Sequence, residues 1–188
     1  LFKHYQHDAD DPSSLPINFL WNIYVDNDGW IWVGSDGAGL SLYNESQDNW
    51  ISFNRGKGGS GRLSSNIVRR VYQDRTGDIW VGTYPSGIHF YDRSSVGIKA
   101  YHKSDDANQG PMDNNVEAAM EDEQGQIWIG ANGISRFDPK TDLFTHYAHT
   151  KDADSKVAAP TMVYGTMDSQ GRILFGTWGA GVQIYNPK

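Results

Sequence analysis

The 188-residue sequence contains no cysteine, which excludes disulfide bonds, thiolate zinc sites and a cysteine nucleophile. It has no apolar run long enough for a transmembrane helix, so we expect no membrane insertion by this segment. Its 16 Lys and Arg residues are outnumbered by 23 Asp and Glu, which gives a formal net charge of -7. Nucleic-acid binding is not expected, because phosphate contacts need a basic face. Glycine also interrupts every candidate for a helical period, which argues against a helical repeat.

What the sequence contains instead is one phrase in four copies, each with Asp-x-x-Gly followed by a short apolar run that ends in Gly. The leading aspartates are 48, 48 and 46 residues apart. A fixed period in this range indicates a stacked repeat architecture, because each unit is too small to bury its own apolar faces. The four copies begin at Asp26, Asp74, Asp122 and Asp168.

Each repeat predicts four short antiparallel strands. Asp-x-x-Gly is typical of a tight turn, in which Asp accepts backbone hydrogen bonds and Gly adopts positive φ. Four strands in about 47 residues match one propeller blade. The predicted fold is therefore all-β, a single β-propeller segment over residues 1–188 with four blades of four antiparallel strands each, complete in itself or part of a larger propeller. The predicted blades cover about residues 18–53, 66–101, 114–147 and 160–186.

The two ends of the sequence are complementary. Residues 1–5 read Leu-Phe-Lys-His-Tyr and match the fourth strand of blade 3 at residues 143–147, whereas blade 4 ends after its third strand. Residues 1–5 are therefore predicted to form the outer strand of a preceding or closing blade, paired with a third strand such as residues 182–186. Such pairing hides a sheet edge. It could close a ring of four blades, join a neighbouring blade of a larger propeller, or involve a second copy of the chain.

The repeat resembles a known family. The pattern Asp-x-x-Gly-x-Ile-Trp-Val-Gly-Thr-x-x-x-Gly-Ile-x-x-Tyr-Asp at residues 74–92 is similar to the two-component regulator propeller repeat, and residues 5–18 resemble its acidic Ser-Leu linker. The resemblance covers the whole chain. It implies a periplasmic or extracytoplasmic sensor propeller of a bacterial receptor, commonly a hybrid histidine kinase and sometimes a diguanylate cyclase, with carbohydrate breakdown products as the signal in several cases. The family usually has many more than four blades.

One loop position differs in chemistry from blade to blade, which makes it a candidate for recognition. The loop between the second and third strands carries Asp36, Tyr84, Asn132 and Trp178 at equivalent places. Two aromatic and two polar side chains on one propeller face suit a sugar, because rings stack on C–H surfaces and polar groups take hydroxyls. The alternative is that these are ordinary exposed loop tips.

A second candidate is a concentration of basic residues. Arg55, Lys57 and Arg62 lie in one linker, and Arg69 and Arg70 follow on the inner strand of blade 2. Arginines could hold the carboxylate or sulfate of an acidic sugar through paired hydrogen bonds. The alternative is a solvated loop, since charge runs usually face water.

Catalytic and metal sites find no support in the sequence. There is no Gly-x-Ser-x-Gly elbow, the histidines do not assemble, and neither acidic linker has the EF-hand pattern. His89 aligns with Ser41, Ser135 and Gln183 in a polar column that is expected to point away from the core, where it would be a poor base. We therefore predict no catalytic residue, no metal and no cofactor.

The leading hypothesis is a non-enzymatic, ligand-sensing propeller segment of a bacterial two-component receptor, with an oligosaccharide or other small molecule as ligand. One alternative is a propeller lyase similar to the streptogramin lyases, which would need a base and usually a divalent cation at the channel mouth. Another is a protein-interaction or dimerisation scaffold.

Overall fold

The computed structural model describes residues 2–56, 62–92, 98–149, 157 and 161–187. These residues form antiparallel sheets that follow one another along the chain, three with four strands and the last with three. A 3-10 turn, Ala107–Gln109, precedes blade 3. The all-β prediction is thus confirmed. The strands are β1 Leu20–Val25, β2 Ile31–Ser35, β3 Leu40–Asn44, β4 Asn49–Phe53, β5 Ile67–Gln73, β6 Ile79–Tyr84, β7 Ile88–Tyr91, β8 Ile98–Tyr101, β9 Ala118–Glu121, β10 Ile127–Ala131, β11 Gly133–Asp138, β12 Leu143–Tyr147, β13 Met162–Met167, β14 Ile173–Thr177 and β15 Val182–Tyr185.

The repeated aspartate fixes both the turn and the core of its blade. In blade 2, Oδ1 of Asp74 accepts the backbone N–H groups of Thr76 and Asp78, each at 3.0 Å. Its Oδ2 accepts Nε1–H of Trp80 at 2.7 Å, and that indole is only 1% exposed. One carboxylate therefore closes the hairpin and satisfies the polar atom of the largest core side chain. Blades 1 and 3 repeat this bond between Asp26 and Trp32 and between Asp122 and Trp128.

In blade 4, the turn aspartate has a different side-chain partner. Leu174 replaces the tryptophan, and the carboxylate of Asp168 accepts Nε–H of Arg172 at 2.7 Å instead. The hairpin is retained, but the aspartate is now tied to a surface side chain rather than to the core.

The hydrophobic core lies between successive blades rather than within one sheet. The inner strands run side by side, with β5 between β1 and β9, and β13 beyond β9. Close approach requires glycine: a Cβ on Gly82 in β6 would lie 2.7 Å from Cγ1 of Val116, next to β9 of the following blade. Between blades 2 and 3, Trp80 packs within 5.5 Å of Phe137, centroid to centroid. Each blade is thus stabilised chiefly by its neighbours.

The two ends of this row of blades are exposed. On blade 1, Ile23 and Val25 are 65% and 58% exposed, and on blade 4, Val182 and Ile184 are 65% and 51% exposed. A closed ring of four would cover these side chains. The four blades therefore form an open row.

The predicted pairing of residues 1–5 with residues 182–186 is not present within the chain. Residues 2–5 belong to no strand, and β15 is the outermost strand of its sheet. The reason is that Tyr5 packs on Tyr43 and Trp50 of blade 1, at the opposite end of the row from β15. Leu1, and Pro160 at the predicted start of blade 4, lie outside the described residues.

Candidate functional site

The four predicted loop residues occupy equivalent, exposed positions. The backbone N–H of Asp36 donates to the carbonyl of Phe19 at 2.9 Å, and that of Trp178 donates to the carbonyl of Thr161 at 3.0 Å. Asp36 and Asn132 also form single β-bridges with the start of the next blade. Within the described ranges, no hydrogen bond, ion pair or ring contact joins the side chains of Asp36, Asn132 and Trp178. The loops are anchored by their backbone, and these three side chains do not converge.

A bulge in the inner strand creates a second row of variable side chains. Strands β1, β5 and β13 each shift register by one residue, at Trp21, Arg69 and Val163. Glu117 stands at the same distance from the turn aspartate of blade 3, immediately before β9. Bulges re-aim a side chain relative to the sheet and recur at functional sites. The four blades thus offer four different chemistries at one position.

Three of these residues contact one another across blade boundaries, and we call Trp21, Arg69 and Glu117 the inner row. The guanidinium carbon of Arg69 lies 3.7 Å from the centroid of the Trp21 ring, a cation–π contact. On its other side, Nε of Arg69 is 4.0 Å from Oε1 of Glu117. Tyr84, from the loop face, lies 5.5 Å from the same guanidinium. Arg69 therefore connects the inner row with one of the predicted loop residues.

Arg70 extends this surface toward blade 4. Its guanidinium carbon is 4.9 Å from the ring centroid of Tyr164 in β13. The intervening blade has the small, buried Ala118 at the corresponding position, which leaves room for the long side chain. Nε of Arg69 and Nε of Arg70 are both inaccessible to solvent and have no hydrogen-bond partner among the residues that the structure describes. Two arginine donors thus remain unused at the inner strands.

The linker arginines lie apart from this cluster. Arg55 and Arg62 line a surface hollow of about 370 Å³ together with Leu63 and Ser64. Arg62 donates its Nε–H to the carbonyl of Gly56 at 2.9 Å, so its described contacts are local. Lys57, the remaining predicted ligand-binding residue, lies outside the described residues.

Comparison with protein families agrees with the repeat geometry. A model described as "Two component regulator propeller" matches residues 14–37, 62–84 and 110–133. Three segments of the chain thus match the two component regulator propeller repeat. Each matched segment ends in or just beyond the second strand of a blade and so includes the turn aspartate and its tryptophan. A search of curated protein sequences gave no match.

The fold is similar to that of solved extracellular domains from bacterial two component systems. The extracellular domain assigned to the hybrid two component system BT4673 of B. thetaiotaomicron is 22% identical with a TM-score of 0.75, over 94% of this chain and 23% of that chain. For the corresponding domain of BT3049 from the same organism the values are 19% and 0.66, over 99% of this chain and 29% of that chain. The present chain therefore spans less than a third of the length of these relatives. At such identities the likeness establishes the fold alone.

A more distant structure bears on the lyase alternative. Virginiamycin B lyase from Staphylococcus aureus is 15% identical with a TM-score of 0.60, over 90% of this chain and 56% of that chain. In the present chain, His89 in the third strand of blade 2 is 1% exposed. Burial, and secondarily the nearby His102, lowers the pKa of His89 to about 4. Its Nε2 accepts the N–H of Ser64 at 2.9 Å, so the lone pair that a base would use is occupied.

The polar column was predicted to point away from the core, and this was wrong. Ser41, His89 and Ser135 are each 1% exposed. Their role is visible in blade 3, where Oγ of Ser135 accepts the N–H of Met112 at 2.9 Å, just as His89 accepts that of Ser64. In blades 2 and 3 the column thus satisfies a backbone donor of the linker that packs against the blade.

Neither a metal-binding cluster nor a membrane-spanning helix is found in the part of the chain that the structure describes. No group of three or more His, Asp or Glu side chains there is arranged to hold a metal ion. No helix in the same residues is long and apolar enough to span a membrane.

Sequence reasoning missed Trp21, Glu117 and Tyr164. The signal was available, because counting back five residues from each turn aspartate gives Trp21, Arg69, Glu117 and Val163, as varied a set as the loop position. The count alone does not reveal the bulge, which brings these side chains into contact with one another.

Proposed function

We propose that this chain is a non-enzymatic, ligand-sensing segment of an extracytoplasmic receptor in bacterial two-component signalling. The family of its repeats supports the signalling context, and the extracellular origin of similar solved domains supports a periplasmic location. The recognition surface is the inner row together with Tyr84, Arg70 and Tyr164. The ligand is a carbohydrate that carries a carboxylate or sulfate group.

The observation that carries this proposal is the pair of arginine side chains that lie beside aromatic rings of neighbouring blades. Nε of Arg69 and Nε of Arg70 are buried without a hydrogen-bond partner among the described residues, which is costly unless a partner is supplied. Arginine presents a planar fork of donors that fits a carboxylate or sulfate. An anionic group on a ligand would approach the terminal N–H groups of the guanidiniums beside the aromatic rings, since the Nε atoms themselves are closed to solvent.

The aromatic residues around the arginines suit a sugar ring. Trp21 and Tyr164 are about half exposed, and Tyr84 is 38% exposed, so part of each ring is free to contact a ligand. Ring faces stack on the C–H surfaces of sugars, while Glu117 can accept hydrogen bonds from hydroxyl groups. Its carboxylate also repels an anion, which favours a ligand whose charge lies on the Arg70 side.

Isothermal titration calorimetry on the purified chain tests the proposal with three probes of equal length: a neutral oligosaccharide, a uronic-acid oligosaccharide and a sulfated one. We expect the acidic probes to bind and the neutral one to bind more weakly or not at all. Arg69→Gln and Arg70→Gln should each weaken binding of the acidic probe at least tenfold, whereas Arg62→Gln, in the linker, should leave it unchanged. Chemical turnover of a probe, or equal loss with Arg62→Gln, would overturn the proposal.

A further inference from the structure

The core tryptophan of blades 2 and 3 is covered by an aromatic side chain from the third strand of the following blade. The ring of Trp80 lies 5.5 Å from that of Phe137, and the ring of Trp128 lies 5.0 Å from that of Tyr185, centroid to centroid. Both indoles are 1% exposed. An aromatic residue of the following blade thus completes the core at these two boundaries.

The boundary between blades 1 and 2 departs from this arrangement. Tyr91 holds the equivalent position in blade 2 but is 40% exposed, and among the described residues it makes no ring contact with Trp32. Opposite Tyr91 on the fourth strand is Ile98, where blade 3 has the larger Phe144, which is 2% exposed. The indole of Trp32 is only partly buried. The packing that covers the other two tryptophans is therefore missing at this boundary.

A cavity of about 390 Å³ lies between blades 1 and 2 instead. Small-molecule sites in proteins have volumes of roughly 300–1,000 Å³ and mostly apolar walls. A cavity of about 150 Å³ holds benzene, so this one has room for a compound with two rings. Its walls are apolar side chains from both blades, among them Trp32, Leu42, Phe53, Ile79, Tyr91 and Ile98.

The turn of blade 1 adds a hydrogen-bond acceptor and a further aromatic wall. Asp26 lines the cavity, and its carboxylate accepts N–H groups from Asp28, Trp30 and Trp32. A carboxylate offers about four acceptor sites, which leaves one for the donor of a ligand. Trp30 also lines the cavity and is 47% exposed. The other three blades have a polar residue at its position, so this aromatic wall is a property of blade 1.

We propose that the cavity between blades 1 and 2 binds a small, uncharged aromatic compound that carries one hydrogen-bond donor. The rings of the ligand would take the space that Phe137 and Phe144 fill at the next boundary. They would pack on Trp30 and Trp32, and the donor would bind the carboxylate of Asp26. The same carboxylate repels an anion, so this site selects against the acidic ligands that the arginines of the inner strands favour.

Isothermal titration calorimetry on the purified chain with indole, 1-methylindole and indole-3-carboxylate tests the ligand class. We expect indole to bind with a Kd below about 1 mM. The 1-methyl compound has no donor and should bind about tenfold more weakly, because a hydrogen bond to a charged group is lost. The anion should bind more weakly than indole as well. The proposal is wrong if indole does not bind, or if either analogue binds as tightly as indole.

Ile98→Phe tests the location of the site, because it gives blade 2 the side chain that fills this space in blade 3. This variant should bind indole about tenfold more weakly and unfold at a higher temperature, since the ring fills the cavity. Ile51→Phe, the same change at an exposed position of β4 outside the cavity, should bind indole as the wild type does.

Trp30→Gln provides a second test that does not depend on repacking the cavity. Gln126 holds this position in blade 3, and its N–H donates to the turn aspartate at 3.0 Å as that of Trp30 does at 2.9 Å. The turn should therefore be kept and thermal unfolding nearly unchanged, while indole binding weakens about fivefold because one aromatic wall is lost. Indole binding that is unaltered in both Ile98→Phe and Trp30→Gln would place the bound indole elsewhere and contradict the proposal.

Discussion

The guanidinium of Arg69 lies 3.7 Å from the ring centroid of Trp21, and the two residues hold the same position in neighbouring blades. Residues at the same repeat position therefore contact each other across the boundary between two blades. The same arginine also approaches Glu117 of the next blade. Its side chain therefore contacts the blades on both sides of its own. A ligand that engages Arg69 would thus act where a change in blade packing could be transmitted.

The loop aromatics are predicted to contribute to binding through this arginine. Tyr84→Ala should weaken binding of an acidic oligosaccharide about tenfold, because Tyr84 lies against Arg69, and calorimetry measures the change. Trp178→Ala is the informative comparison, since Trp178 is 79% exposed and was predicted from the sequence to bind as well. Thermal unfolding should be nearly unchanged in both variants. If only Trp178→Ala abolishes binding, recognition lies on the loop face rather than at the inner row.

The turn aspartates are predicted to differ in importance. Asp74→Ala should lower the free energy of unfolding by about 3 kcal/mol, because the buried indole N–H of Trp80 and two backbone donors lose their acceptor. Asp168→Ala should cost clearly less, since its side-chain partner is the partly exposed Arg172. Urea denaturation monitored by tryptophan fluorescence measures both values. Equal losses would contradict the role assigned to the Asp–Trp bond.

The glycines that end the apolar runs of blades 2 and 4 can be compared by the same substitution. Gly82→Ala should destabilise the chain by about 1–3 kcal/mol, because the added methyl would press on Val116 of the next blade. Gly176→Ala, at the equivalent position of blade 4, should be neutral or slightly stabilising. Thermal unfolding separates the two. Similar losses in both would mean that the glycine serves the strand itself and not the approach of blades.

Much of the fold could be read from the sequence because each element has a local cause. The turn follows from Asp-x-x-Gly, the strands from the apolar runs, and the three strands of the last described sheet from a count of segments. The direction of the polar column was misjudged, because alternation along β7 cannot tell a buried face that meets a linker from a solvent face. The segment around Ser64 packs on His89 and contributes to its burial.

The candidate site was less accessible to sequence reasoning. Arg69 and Tyr84 were identified one by one, but their contact depends on the bulge in β5 and on the separation of neighbouring blades. These are properties of tertiary packing, and the repeat pattern does not encode them locally. The same reason explains why Glu117 was overlooked, since it precedes its strand.

The last prediction uses the buried histidine. In the folded chain, burial lowers the pKa of His89 from 6.5 to about 4, so between these values the unfolded chain binds a proton that the folded chain does not. Stability present above pH 6.5 should therefore be lost as the pH falls toward 4, by about 1.4 kcal/mol per unit and about 3 kcal/mol in all. His89→Ser should remove this loss, because serine at the equivalent Ser135 also accepts a linker N–H. Urea denaturation of both proteins at pH 7, 6, 5 and 4 tests this, since the carboxylates common to both cancel in the difference. Two curves that stay parallel over that range would show that protonation of His89 is not linked to folding.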